Sequence, residues 1–232
     1  MPLTVVGIAP HAAFVDQVFM DLLGRSADPN AMNLFVEQLD RGAMSRMDFA
    51  RLMMSSPEYR TKLVQGWFHQ FLGRDADPEA LSFFQGALDD GASNGILIGL
   101  LVSSDEYFEV RAGGDEQILI GLLLPAILGR DATPEELNSF TEMLDGGATH
   151  QDIAMLLLSS QEYRMHLVQG WYQQFLGRDA DPTGLTLFTG ELDGDGSVDV
   201  AVQAQIIGSQ EYFDHAILAH GAGGGAGKTP ES

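Results

Sequence analysis

Cysteine is absent from the 232-residue chain. That removes disulfides, thiolate catalysis and cysteine-based zinc sites. Basic residues are scarce: 12 Lys and Arg stand against 33 Asp and Glu, a formal net charge of -21. Such a balance excludes the basic patch that phosphate contacts demand in nucleic-acid binding. It also argues against docking on an anionic membrane surface. Long apolar runs are missing too, since the longest, Ile118 to Leu124, is closed by Pro125 and is far too short to span a bilayer. Residues 1–10 lack the basic region and apolar stretch of a cleaved secretory signal. The histidines fall in no metal-ligand spacing, and no serine or threonine sits in a nucleophile-elbow context. Carboxylate pairs are plentiful in so acidic a chain, and none stands out as a glycosidase-like dyad. What the chain does have is an ordinary apolar content, 45% hydrophobic and 9% aromatic, enough to bury a real core.

It also has internal recurrence. Leu-Gly-Arg occurs at Leu23–Arg25, Leu72–Arg74, Leu128–Arg130 and Leu176–Arg178. Each copy is followed by a Ser-x-Glu-Tyr step, at Ser56–Tyr59, Ser104–Tyr107, Ser160–Tyr163 and Ser209–Tyr212. A motif returning at a period near fifty signals a repeat array. The second copy shows how one unit builds itself. Tyr59, Leu63, Trp67 and Phe71 lie four apart over Pro57 to Leu72, which predicts one helix with a broad apolar stripe. Ser56 is its N-cap, Pro57 its first residue, and Gly73 a left-handed C-cap. Asp77-Pro78 opens a second helix with core face Ala80, Leu81, Phe84, Ala87 and Leu88. The third, Ile96 to Val102, is short, apolar and expected to be buried. Capping boxes at Ser45 to Asp48 and Thr149 to Asp152 open the third helix in two other copies. No segment shows strand alternation, so the reading is all-α.

The copies are paired. The second and fourth share Leu63-Val64-Gln65-Gly66-Trp67 and Leu167-Val168-Gln169-Gly170-Trp171, whereas the first and third end in Tyr59-Arg60 and Tyr163-Arg164. The fold expected is therefore tandem helical repeats, four units arranged as two paired modules. The first module is residues 1–112, with units at about 11–60 and 61–111. The second is 113–213, with units at about 115–164 and 165–213, followed by a flexible glycine-rich tail at 214–232. Ala112-Gly113-Gly114 reads as the linker between them.

The aromatic helix, Leu-Leu-Gly-Arg-x-x-Asp-Pro, the apolar helix ending in Leu-x-x-Gly, and Ser-x-Glu-Tyr-Arg resemble the bacterial domain of unknown function 4214. Phe19 to Pro29, Leu34 to Gly42 and Ser56 to Arg60 match its pattern closely, and a distant similarity to phycobilisome linker polypeptides is also visible. The resemblance implies large secreted or cell-surface bacterial proteins, often carrying calcium-binding repeats or surface-layer regions. The third copy departs from the pattern: Thr133 replaces the aspartate, and Leu124-Pro125-Ala126 is expected to interrupt the first helix.

Each polar motif has a scaffolding and a functional reading. Asp28, Asp77 and Asp181 precede proline and read as helix caps rather than cation ligands, because Thr133 in the third copy caps well and binds hard cations poorly. Arg25, Arg74, Arg130 and Arg178 are candidate ligand-binding residues for an anionic sugar or carboxylate. Their bland reading is one arginine–carboxylate pair per unit, with Glu58, Glu106, Glu162 and Glu211 as recurring acids. Trp67, Phe68, Trp171 and Tyr172 could stack on sugars, but their spacing marks them as core. Asp193, Asp195, Ser197 and Asp199 place oxygens at alternate positions like the start of a calcium loop, although glycine at the sixth place and a bidentate glutamate are missing. Ala222 to Thr229 mimics a phosphate-binding loop but lacks the strand before it and the helix after it.

The expectation is a non-catalytic structural and interaction module of a bacterial secreted or cell-surface protein, serving adhesion or assembly and not an enzyme. Its partner would be a protein or surface polysaccharide, with no nucleic acid and no membrane insertion. The alternative is a calcium-dependent or polysaccharide-binding module, with calcium as the one cofactor implied. A hydrolase ranks third. Surface localisation without a cleaved signal is expected, with the cytoplasm as the other choice.

Overall fold

The structure, a computed structural model, describes residues 9–192 and 199–221. These form fourteen α-helices and one π-helical turn, with no strand among the described residues. In chain order the helices are α1 (Pro10–Leu23), α2 (Pro29–Asp40), α3 (Arg46–Met54), α4 (Pro57–Trp67), α5 (Pro78–Asp89), α6 (Asn94–Val102), α7 (Asp105–Arg111), α8 (Glu116–Leu128), α9 (Pro134–Asp145), α10 (His150–Leu158), α11 (Gln161–Leu176), α12 (Pro182–Glu191), α13 (Asp199–Gly208) and α14 (Gln210–Gly221). No helix among them is long and apolar enough to cross a membrane.

Local chemistry sets the boundaries. The aspartates before proline cap as their short carboxylates allow: Asp28 accepts from the amides of Asn30 and Ala31, Asp77 from Glu79 and Ala80, and Asp181 from Thr183 and Gly184. Thr133 caps α9 through a full capping box with Glu136, and Thr149 does the same for α10 with Asp152. Each Leu-Gly-Arg glycine closes a first helix in the left-handed region, with φ from 64° to 72°, where a side chain would be strained.

Three expectations need correction. The helix predicted over Pro57 to Leu72 is α-helical only to Trp67 and continues as a π-helical turn, Phe68–Leu72, before the Gly73 cap. Pro125 does not interrupt the helix of the third copy; α8 runs through it. Pro125 is exposed, so the Gly121 carbonyl that loses its amide partner lies near the solvent side, where water can serve it. Part of the tail placed at 214–232 is helical, because α14 extends to Gly221; residues 222–232, including the whole phosphate-loop mimic, lie outside the described residues.

The chain divides into two compact units that do not coincide with modules 1–112 and 113–213. One comprises Met1–Tyr59, Trp171–Arg178 and Gln203–Ser232, the other Arg60–Gly170 and Asp179–Val202. In the first, α1 packs on α2, α3 and α14, so the first and last described helices share a core. That core is aromatic: Phe14 lies 5.8 Å from Phe49 and meets Tyr212 edge-on at 5.9 Å, while Phe35 approaches Phe49 at 4.8 Å. In the second, α6 packs on α10, and α8 on α9 and α10, around the aliphatic residues Leu97, Leu119, Ile120, Leu123, Leu124 and Ile153. Trp67 and Phe68 are buried in this core, and Trp171 and Tyr172 are buried as well, so none of them is a sugar platform.

Candidate functional site

The four recurring arginines sit one residue past a glycine cap, where the chain has just left a helix and a long side chain can reach sideways. Each guanidinium forks onto the glutamate of the following Ser-x-Glu-Tyr step. Arg25 donates to Glu58 through Nε at 2.6 Å and Nη2 at 2.7 Å. Arg74 donates to Glu106 through the same two nitrogens, both at 2.6 Å. Arg130 pairs with Glu162 and Arg178 with Glu211 in the same bidentate way. The glutamate lies in the first turn of its helix, where the positive end of the helix also favours it. One arginine therefore ties a first-helix terminus to the start of the next unit's helix. The fork that would grip a ligand carboxylate is filled by a carboxylate of the chain itself.

The clamp is completed differently in the third copy. Arg25, Arg74 and Arg178 each lie over an aromatic ring, Phe19, Phe68 and Tyr172, at 5.3, 5.2 and 5.0 Å. The ring stands five residues before the glycine, and the third copy has Leu124 there. Arg130 takes a second carboxylate instead: Glu136 accepts from Nη1 at 2.9 Å and Nη2 at 2.7 Å. Glu136 is thereby held well below its usual range, at about 2, first by Arg130 and then by the Thr133 amide. The replacement of aspartate by threonine at the cap and of an aromatic by leucine are thus one coupled change, with Glu136 serving both cap and arginine.

A test follows for this doubled clamp. A carboxylate depressed in the folded state stabilises above its unfolded pKa and loses that contribution as pH falls toward its folded value. Glu136 therefore contributes fully above about 4.5 and progressively less toward pH 2. Because these groups are partly exposed, Arg130→Gln is expected to lower the melting temperature by only about 2–4 °C at pH 7. It should have no added effect near pH 2. A loss that is the same at both pH values would show that the guanidinium acts through packing alone.

The calcium-loop candidates fare unequally. Asp193, Asp195 and Ser197 lie outside the described residues. Asp199 is placed in the first turn of α13, only 6% exposed, and desolvation pushes its carboxyl up to about 7 despite the favourable helix end. Burial also raises the pKa of Tyr163, with Asp199 adding to the rise; among the described residues the buried Tyr163 hydroxyl has no hydrogen-bond partner. Among the described residues no group of three or more histidines and carboxylates could hold a metal ion. His150 instead pairs with Glu116 at 3.0 Å, and His220 with Asp16 at 3.1 Å.

Sequence reasoning missed one set of surface residues. Leu34, Phe83 and Leu187 stand six residues after Asp28, Asp77 and Asp181, and are 53%, 60% and 54% exposed. The third copy has Ser139 at that place. The signal was present as an apolar residue in fixed register, but the sequence reading named only the core face of the second helix and gave Phe83, which lies off that face, no role.

Compared with known proteins, residues 7–63 match the family described as Domain of unknown function (DUF4214). No curated protein and no solved structure matches the chain.

Proposed function

We propose that this chain is a non-catalytic interaction module of a bacterial secreted or cell-surface protein, working in adhesion or assembly. The observation that carries the reading is the exposure of Leu34, Phe83 and Leu187 at one register of three second helices. Scattered surface apolar residues need no explanation, but the same position left apolar and exposed three times is suited to repeated partner contacts. The division of labour supports it as well: the recurring polar residues serve as caps and clamps, which leaves binding to surfaces. The surface setting rests on the resemblance to the DUF4214 pattern, which residues 7–63 match. A calcium-dependent or polysaccharide-binding module is the competing reading, and the arginines and the segment from Asp193 belong to it.

The test compares the wild-type chain with a triple variant, Leu34→Ser, Phe83→Ser and Leu187→Ser, for sedimentation and for binding to intact bacterial cells and isolated envelope polysaccharide. Wild-type association that the variant loses, at an unchanged melting temperature, supports the reading. Equal behaviour of the two proteins would overturn it. Parallel melts in EDTA and in millimolar calcium address the competitor: a gain of several degrees with calcium, lost in Asp195→Ala, would replace the assembly reading with a cation-dependent one.

A further inference from the structure

The second copy carries the one Asn-Gly step of the sequence, Asn94-Gly95, at the start of α6. This pair is reactive, because the glycine nitrogen can close a ring on the asparagine side-chain carbonyl carbon and no Cβ on the glycine hinders it. A helix suppresses the reaction where it ties that nitrogen into its ladder and fixes ψ. The start of α6 does neither firmly. The first amides of a helix have no carbonyl four residues back, and the Ser93 cap spends its hydroxyl on the Ile96 amide, at 3.2 Å. Among the described residues neither the Gly95 amide nor the Asn94 side chain forms a hydrogen bond. Turning ψ of Asn94 to bring the two groups together breaks the cap and the bond from the Leu97 amide to the Ser93 carbonyl, also 3.2 Å. Asn94 is half-buried, within reach of water. The other asparagines are held. Asn33 and Asn138 lie inside α2 and α9, where the ladder takes the next amide. The amide after Asn30, that of Ala31, donates to the Asp28 carboxylate at 3.1 Å.

We infer that Asn94 is a site of spontaneous modification, at which the chain converts its own Asn-Gly step through a succinimide to aspartate and isoaspartate. The Gly95 nitrogen, losing its proton to solvent base, attacks Cγ of Asn94. The N–Cγ bond forms, the Cγ–Nδ2 bond breaks, and Nδ2 takes up a proton and leaves as ammonia. Water then opens the ring. Its attack at Cγ gives aspartate; attack at the main-chain carbonyl, the more electrophilic of the two, gives isoaspartate as the major product. The products act differently on α6. Aspartate places a carboxylate in the first turn, at the positive end of the helix. Isoaspartate routes the main chain through the side chain and adds a methylene before Gly95. The Ser93 hydroxyl then misses the Ile96 amide, and Gly95, which lies against Tyr163 and Leu158, moves out of register. Ageing thus adds a negative charge and loosens the start of a helix whose Leu97, Leu101 and Val102 belong to the core. This site goes beyond the assembly reading and does not depend on it.

The test incubates the whole folded chain at pH 8, with a urea-unfolded sample as reference, and follows tryptic peptides by mass spectrometry. Peptide 75–111 holds Asn94 as its one asparagine, and peptide 131–164 holds Asn138 as its own. In the folded chain, 75–111 should gain one mass unit at least roughly tenfold faster than 131–164, and protein isoaspartyl methyltransferase should label the product. Gly95→Ala should slow the conversion by roughly tenfold. That variant folds, since its Cβ meets Tyr163 at 3.5 Å and Leu158 at 3.9 Å, ordinary contact distances. Asn94→Asp should melt no lower than the wild type, so a melting temperature that falls with age tracks isoaspartate and not the added charge. Peptide 75–111 unchanged in the folded chain while it converts in urea would overturn the inference. Equal rates for the two peptides, or conversion as fast in Gly95→Ala, would do the same.

Discussion

Asp199→Asn is expected to stabilise the protein at pH 8 and to leave it nearly unchanged at pH 4. The carboxyl goes from an ordinary value of 3.8 in the unfolded chain to about 7 in the folded one. Between those values the folded state holds the proton more firmly, so stability falls as pH rises through the window and the loss is complete above 7. Three units correspond to about 4 kcal/mol at most, a large share of a typical folding free energy. An amide keeps the shape of the side chain without the ionisation. The chain already tolerates one there, since Asn94 opens α6 as Asp199 opens α13. Urea unfolding of both proteins at pH 4 and 8 decides the matter. A wild-type-to-variant difference that does not change with pH would mean that Asp199 is ionised without penalty and that its burial is relieved by a partner.

The second large effect concerns close approach of two helices. A Cβ placed on Gly208 would lie 2.9 Å from the Cα, Cβ and backbone nitrogen of Met47, so α13 touches the backbone of α3 where no side chain can yield. Gly208→Ala gains about 1 kcal/mol of helix propensity but must push two helices apart, and a net loss of about 2–3 kcal/mol is expected. Gly170, in the middle of α11, is the control: a Cβ there meets nothing within 4 Å, and Gly170→Ala should stabilise by about 0.5–1 kcal/mol. If denaturant melts place Gly208→Ala level with or above the wild type, the approach of these helices is looser than described.

The contrast between these residues shows what a sequence can reveal. Caps were legible because Asp-Pro and Thr-Pro carry their mechanism within three residues, and all of Asp28, Asp77, Thr133 and Asp181 cap as read. Recurrence singled out the arginines and the glutamates and suggested their pairing. It could not show the aromatic platform beneath three arginines or the second acid on Arg130. Pro125 was misread because local sterics suggest a break, whereas the exposed face of α8 leaves the unpaired carbonyl near water. Asp199 read as one of the oxygens that start a cation loop because alternate oxygens are a local pattern, and nothing local reports burial. Packing of the last helix on the first was equally invisible: contacts between residues nearly two hundred apart leave no periodicity.

That last contact has a mechanical consequence. In an open array of repeats, tension applied at the two ends passes through every unit in series. Here α1 and α14 pack on each other, and His220 of α14 bonds Asp16 of α1. A pull on both ends therefore loads this one contact first, peeling the terminal helices apart before the remaining helices carry force. Extension under a clamp would begin with a single early rupture, and the helices between would lengthen only afterwards.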